Sequence, residues 1–334
     1  MMSMPAPASE DPRPKLGGFL ETKISLGGFF EIALWTAGIG TLLTFLGQLH
    51  WMLENFACFR PQYFWLLLAG AIWAILVKRR WLAIGMAVMS MINVGSCIPW
   101  NPFHKPPANP TEPLRILHAN VLATNNRYDL LYDLVAKEKP DIIFLAEVDL
   151  DWAHELDDLK KDYPINHGEP RGGAMGMAAF SKIPLDRLTI EHLSPVNVPS
   201  VHVQFERWGK TITMLYTHPY PPVNGGAQLA RDQELTEITA AAIAAGGPRV
   251  ILGDLNCTPE SAIFQHIITK ALVRDTRRGF GLQPTWPSDL PPLMIPIDHV
   301  LVSYEFEVLD RRLGPNIGSD HLPVIIDLGY RGAE

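Results

Sequence analysis

The chain has 334 residues, 47% of them hydrophobic and 19% charged, a composition that excludes disorder and collagen-like order and is apolar for a soluble enzyme. With 28 basic against 35 acidic residues and a net charge of -7, no overall positive field exists to hold nucleic acid without sequence preference. Three cysteines, Cys58, Cys97 and Cys257, are too few for a disulfide scaffold and wrongly spaced for a zinc site of paired cysteines.

The apolarity and the acidity occupy different parts of the chain. Residues 1–100 carry seven basic and five acidic residues, a net +2, which leaves -9 for the remainder. The Pro-, Ser- and Ala-rich start makes residues 1–28 a disordered cytoplasmic tail. Three apolar runs follow at 29–49, 63–77 and 81–99, and they predict a bundle of three transmembrane helices, the short middle one accommodated by aromatic anchoring or entering as a re-entrant segment. Arg13, Lys15, Lys23, Lys78, Arg79 and Arg80 fall on one side of these spans and Arg60 and Lys105 on the other. The excess of basic residues assigns the first side to the cytoplasm, so everything after Pro99 is expected outside it, anchored to the bilayer. That topology places Cys58 in an outer loop and Cys97 near the outer end of the third span, where they either form a disulfide or remain two buried thiols. Residues 101–113, with five prolines, predict a stiff linker.

A globular domain is expected over 114–330. Leu114 to Asn120 and Asp141 to Glu147 read as buried strands around a helix from Tyr128 to Lys139, whose apolar residues recur at helical spacing. Further strands are expected at Gly176 to Ser181, Ser200 to Glu206, Thr211 to Thr217, Arg249 to Leu255, Ile297 to Val302 and Pro323 to Leu328, and helices at Ala227 to Ala245 and Ser261 to Ala271. Two sheets flanked by helices, an α/β sandwich, is the natural packing of this order.

Polar residues gather where those strands end. Asn120 and Glu147 close two apolar runs, His218 follows a third, and Asp254 and Asn256 project to one side by period-2 alternation. Asp298 interrupts another apolar run, and Asp320 and His321 immediately precede the last one. Each alone suits a cap, a turn or a satisfied histidine. Together they supply carboxylates, amides and histidines suited to a hard cation such as Mg2+ or Mn2+.

The ordered series Leu117-His118-Ala119-Asn120, Leu145-Ala146-Glu147, Thr217-His218-Pro219, Gly253-Asp254-Leu255-Asn256, Pro296-Ile297-Asp298-His299-Val300 and Ser319-Asp320-His321-Leu322-Pro323 resembles the endonuclease/exonuclease/phosphatase superfamily across residues 114–328. The resemblance implies a four-layer α/β/β/α sandwich and metal-dependent hydrolysis of a phosphoester or phosphoanhydride. It implies Asn120, Glu147 and Asp320 as metal ligands, Asp254 as the residue that orients or deprotonates water, and Asn256 as the amide that positions water or a phosphate oxygen. His321, held by Asp298, is implied at the scissile phosphate, and His218 stabilises developing phosphoryl charge. The family's acidic partner for its first histidine has no clear counterpart, with Glu169 the candidate. Arg171, Arg231 and Trp286 are weaker candidates for substrate contact, Arg231 being equally at home on an amphipathic helix face and Trp286 beneath a loop. Cys257, without a partner for nucleophilic work, is expected as a small packed side chain.

The fold leaves the substrate open. Three spans, an outward-facing acidic domain and a short linker favour a lipid-linked phosphate or diphosphate at a bacterial cytoplasmic membrane, in the manner of the family's undecaprenyl-diphosphate phosphatases associated with glycopeptide resistance. The alternatives are an anchored extracytoplasmic nuclease, with Arg277-Arg278 and Arg311-Arg312 lining a groove, and a phospholipid phosphodiesterase.

Overall fold

The computed structural model describes residues 26–47, 49–97, 102–104 and 111–331. Most of the expected tail and of the Pro-rich linker lies outside them. The N-terminal part is helical: α1 (Leu26–Leu43), α2 (Trp51–Ala57), α3 (Arg60–Leu76) and α4 (Arg80–Asn93). The His50 ring caps α2 by accepting from Met52 N at 3.3 Å, and Pro61 opens α3, where its missing N–H costs nothing. Leu34, Ala37, Leu67, Ala71 and Met86 form the seam of the bundle. A Cβ on Gly70 would lie 2.3 Å from Leu34 Cδ2, so glycine is what lets α1 and α3 meet closely. A buried bond from Asn93 Nδ2 to Thr41 Oγ1, 2.8 Å, joins α4 to α1.

Phe29, Trp35, Ile39, Ile72, Ile75, Trp81 and Val88 face outward, so these helices are apolar on their outer faces as well as at their seam. Among the described residues, Gly27–Leu46 is long and apolar enough to cross a membrane by itself; α2 and α3 pass that test as a pair, but meet at 57°. The third run is α-helical over only 14 residues, about 21 Å at the helical rise, so three full spans are not established. The segment between the first two runs, expected as a loop, contains α2.

The remaining chain builds two six-stranded sheets. In the first, β1 (Leu114–Asn120), β2 (Ile142–Ala146), β3 (Ile165–Glu169), β4 (Met177–Ser181), β11 (Phe306–Leu313) and β12 (Val324–Tyr330) lie in the order β11-β12-β1-β2-β4-β3. In the second, β5 (Arg187–Glu191), β6 (Ser200–Arg207), β7 (Lys210–Thr217), β8 (Arg249–Asp254), β9 (Val273–Asp275) and β10 (Asp298–Ser303) lie in the order β5-β6-β7-β8-β10-β9. Among the described residues only β1–β2 and β7–β8 are parallel pairs; the chain makes each crossover with a helix, α5 (Tyr128–Glu138) and α7 (Gly225–Ala245).

Alternation assigns the faces. Leu114 and Ile116 of β1 join Val201, Met214, Leu252 and Val300 in the core between the sheets, whereas Leu117 and Ala119 pack outward on Leu131, Leu134 and Trp152 of α5 and α6 (Leu150–Glu155). On the far side α7 and α8 (Ala262–Lys270) cover the second sheet through Leu235, Ile238, Phe264 and Ile267. This is the expected α/β/β/α order. The helical segment, expected to stand apart on its linker, instead touches the domain: Glu54 of α2 meets Arg231 of α7 at 3.0 Å, and Gln62 Nε2 donates to Met294 O at 2.8 Å.

Candidate active site

At one end of the sandwich both sheets deliver polar side chains to the same place. β1 ends on Asn120, which shares its face with His118, and β2 runs directly into Glu147. Glu147 and Asn256 have φ of 61° and 48°, a left-handed backbone that costs a non-glycine residue about 1–2 kcal/mol and that clusters at functional sites. On the second sheet β7 and β8 approach so closely at their ends that a Cβ on Gly253, whose φ is 138°, would lie 2.0 Å from Thr217 O. That contact brings His218 beside Asp254. Antiparallel pairing then sets Asp298 opposite Asp254, and the turn at Gly318 leads through Ser319, Asp320 and His321 into β12. Ser319 Oγ ties this turn to the end of β1 by donating to Asn120 O at 2.8 Å.

Asp298 is the centre of the cluster. His321 Nδ1–H donates to its Oδ2 at 2.9 Å and His118 Nε2–H to its Oδ1 at 2.8 Å. Burial alone would raise this carboxyl, but the two imidazoles override it and hold Asp298 well below the usual carboxylate range. Burial likewise disfavours a charge on His321; the carboxylates of Asp298, in contact, and Asp254, 3.7 Å away, outweigh it and push the imidazole up to about 10. His321 is therefore a cation at neutral pH. His218 Nε2 lies 3.4 Å from Asp254 Oδ2, and this carboxylate lifts its pKa against the effect of burial. Asp254 is in turn held low, burial being offset by His321 and His218.

The oxygen-rich side of the cluster comprises Asn120, Glu147 and Asp320. Asn120 Nδ2 bridges Glu147 Oε1 at 2.9 Å and Asp254 Oδ2 at 3.2 Å. Asp320 Oδ2 accepts from Trp286 Nε1 at 2.9 Å, while its Oδ1 is buried with no partner. An orphaned carboxylate oxygen among further carboxylates fits a hard divalent cation. Asp254, Asp298 and His321 also lie near enough to one another to hold an ion, but both oxygens of Asp298 already accept imidazole N–H groups, and a protonated His321 offers no lone pair. The three expected ligands are therefore the better donor set.

Glu147, His218, Asp254, Asn256, Asp320 and His321 line a cavity of about 540 Å3, within the roughly 300–1,000 Å3 usual for ligand sites.

Residues 92–321 match the profile of the Endonuclease/Exonuclease/phosphatase family. The chain belongs to that family. It is accordingly a metal-dependent hydrolase of phosphate ester or anhydride bonds. Solved structures share the fold: an endonuclease/exonuclease/phosphatase from Beutenbergia cavernae at 20% identity and TM-score 0.52, covering 67% of this chain and 73% of the other. D. rerio TDP2 complexed with single strand DNA product matches at 16% and 0.56, covering 66% and 100%. The catalytic domain of human Nocturnin with bound sulfate matches at 18% and 0.54, covering 66% and 96%. The curated proteins contain no match.

Within this family fold, the eight residues expected as ligands and catalytic groups are brought together, and the weaker candidates separate. Trp286 lines the cavity. Arg231 also borders it, yet its buried guanidinium is occupied by Glu54, Asp232 and Asn256 O, so it braces α2 and the Asn256 turn. Arg171 is not among the lining residues; it bonds to Glu169, Asn197 O and His192. Glu169 is consequently no partner of His218, a place taken by Asp254. Cys58, Cys97 and Cys257 are all free thiols, so the Cys58–Cys97 disulfide is not formed, and Cys257 packs as expected. Two contributions had no strong sequence signal. His118 was legible only as the residue sharing Asn120's face, and Glu54, Asn55, Cys58 and Phe59 reach the cavity from the helical segment.

Proposed function

We propose that the protein is a membrane-anchored phosphohydrolase of a lipid-linked phosphate or diphosphate, of the undecaprenyl diphosphate type. One observation carries this reading: a family catalytic cluster lies in a cavity whose opposite wall belongs to helices with apolar outer faces. The domain contacts the helical segment at α2 and the start of α3, whereas Lys78, Arg79 and Arg80 lie in the α3–α4 turn, so the positive-inside rule favours a domain outside the cytoplasm of a bacterial cell.

In this reading Asn120, Glu147 and Asp320 hold Mg2+ or Mn2+, which when bound neutralises phosphoryl oxygens. His321, a cation kept protonated by Asp298, binds a non-bridging oxygen of the scissile phosphate. Asp254, a carboxylate at neutral pH, orients water and takes its proton as the new P–O bond forms and the bond to the leaving oxygen breaks. Asn256 fixes the position of that water or of a phosphate oxygen, and His218 adds positive charge as the phosphoryl oxygens gain negative charge.

A nuclease is the second reading, favoured by the likeness to TDP2 with its DNA product. The arginines that would line its groove are largely occupied: Arg277 is buried against Asp275 at 2.7 Å, Arg311 is buried, and Arg312 pairs with Asp310 and Glu138. The deciding assay is turnover by full-length protein in detergent, with Mg2+ or with chelator, on undecaprenyl diphosphate and on DNA, with Asp254→Asn as the control. Chelator-sensitive phosphate release from the lipid alone is expected; DNA cleavage alone would replace this reading with the second. A reporter fused after Glu334 tests the topology, and a cytoplasmic signal would remove the argument from orientation.

A further inference from the structure

We propose that the turn joining α2 to α3, together with the facing Pro221–Val223 loop, is a specificity site for the hydrocarbon chain of the substrate. The helical segment is thereby part of the binding site as well as a tether. The inference rests on the lipid-phosphate reading and adds to it where the lipid sits.

Phe59, Pro221, Pro222, Val223, Trp286 and Ile295 line the same cavity as the catalytic residues, so the ionic cluster shares its space with an apolar lining. A free phosphate would leave that lining without a complementary surface. A phosphate carried on a hydrocarbon chain matches both. The segment that supplies Phe59 lies between α1 and α3, two strongly apolar helices of the N-terminal part. Val223 is 67% exposed and so stands at the mouth of the space.

A clasp holds this wall in place. Arg231 meets both Glu54 oxygens, at 3.0 and 3.1 Å, Gln228 also bonds to Glu54, and Cys58 Sγ accepts from Thr258 Oγ1 at 3.6 Å. Through Asn256 O at 3.1 Å the same guanidinium reaches the turn that carries a catalytic amide. The helical wall and the catalytic wall are therefore fixed to one another by one buried cation.

The test compares two probes with the same scissile group, geranylgeranyl diphosphate and dimethylallyl diphosphate, turned over by the full-length protein in detergent with Mg2+. Wild type is expected to prefer the long probe in kcat/KM. Phe59→Ala and, separately, the surface change Val223→Ser are expected to cut that preference about tenfold, through KM for the long probe. Hydrolysis of both probes with a preference unchanged in both variants would overturn this inference and leave the lipid-phosphate reading standing. Equal use of the two probes by wild type would also overturn it. Hydrolysis of neither would remove the reading on which it rests, and the inference with it.

Discussion

Replacing Asp298 by asparagine isolates the charge at the centre of the histidine cluster. Asparagine keeps the side-chain volume and one acceptor oxygen, but its other end becomes an NH2 facing His118 or His321, each now within hydrogen-bond distance of the carboxylate. The imidazole nitrogen that meets the NH2 must then accept instead of donating. Loss of an opposite charge in contact moves a pKa by about 1–3 units. His321, now at about 10, should therefore fall to roughly 7–9, with Asp254 limiting the drop. If the imidazolium binds phosphate, activity is present below this pKa and lost as pH rises through it. At such a pKa about half or more of His321 stays protonated at pH 7, so the rate there should fall by about twofold at most through lost charge, while the alkaline limb moves down by about 1–3 pH units. The assay is kcat/KM for bis(p-nitrophenyl) phosphate against pH with saturating Mg2+, alongside circular dichroism to establish that the variant is folded. A folded variant with an unmoved alkaline limb would refute the reasoning.

Three further outcomes are expected. Burial, and then Arg277, holds His299 down to about 4 from an ordinary 6.5; the unfolded chain takes up a proton that the native one refuses, so stability present above pH 6.5 should fall by about 3 kcal/mol as pH drops toward 4. Urea unfolding as a function of pH should show this slope flattened in His299→Gln. Gly253→Ala forces a Cβ to 2.0 Å from Thr217 O at a φ of 138°, which should cost about 3 kcal/mol or more, and an unshifted melting temperature would contradict the close approach of β7 and β8. Glu147→Gln should raise the Mg2+ concentration needed for half-maximal rate by roughly 10–100-fold; an unchanged requirement would take Glu147 out of the ligand set.

The strands legible in the sequence are the eight interior ones, β12, β1, β2 and β4 of one sheet and β6, β7, β8 and β10 of the other. The four that gave no signal, β3, β5, β9 and β11, are the four sheet edges. An interior strand here is buried along most of its length and carries apolar residues at least at every second position. An edge strand is partly exposed, as in Ile165–Glu169, and carries too much polarity to stand out from a loop. The short span at α4 has a related cause: the run to Pro99 is apolar throughout, but composition does not say where the helix gives way to the turn at Val94–Ser96.

The sequence by itself determined that chemistry collects at strand ends, because each functional residue interrupts or closes an apolar run, and period-2 alternation sets His118 with Asn120, whereas Asn256 lies past β8 on a left-handed backbone. Apart from His321 with Asp298, which the family resemblance implied, the pairings were decided by the tertiary structure alone. Which carboxylate meets which imidazole depends on how two sheets converge: His118 finds Asp298 across 180 residues, and Glu54 finds Arg231 across 177. Local pattern carries no trace of such contacts, since hydrophobic periodicity records which face is buried and not what lies opposite it. Thus Glu169, the candidate partner of His218, gives way to Asp254, which the approach of β7 to β8 puts beside that ring, and α2, expected as a loop, docks as a wall of the cavity.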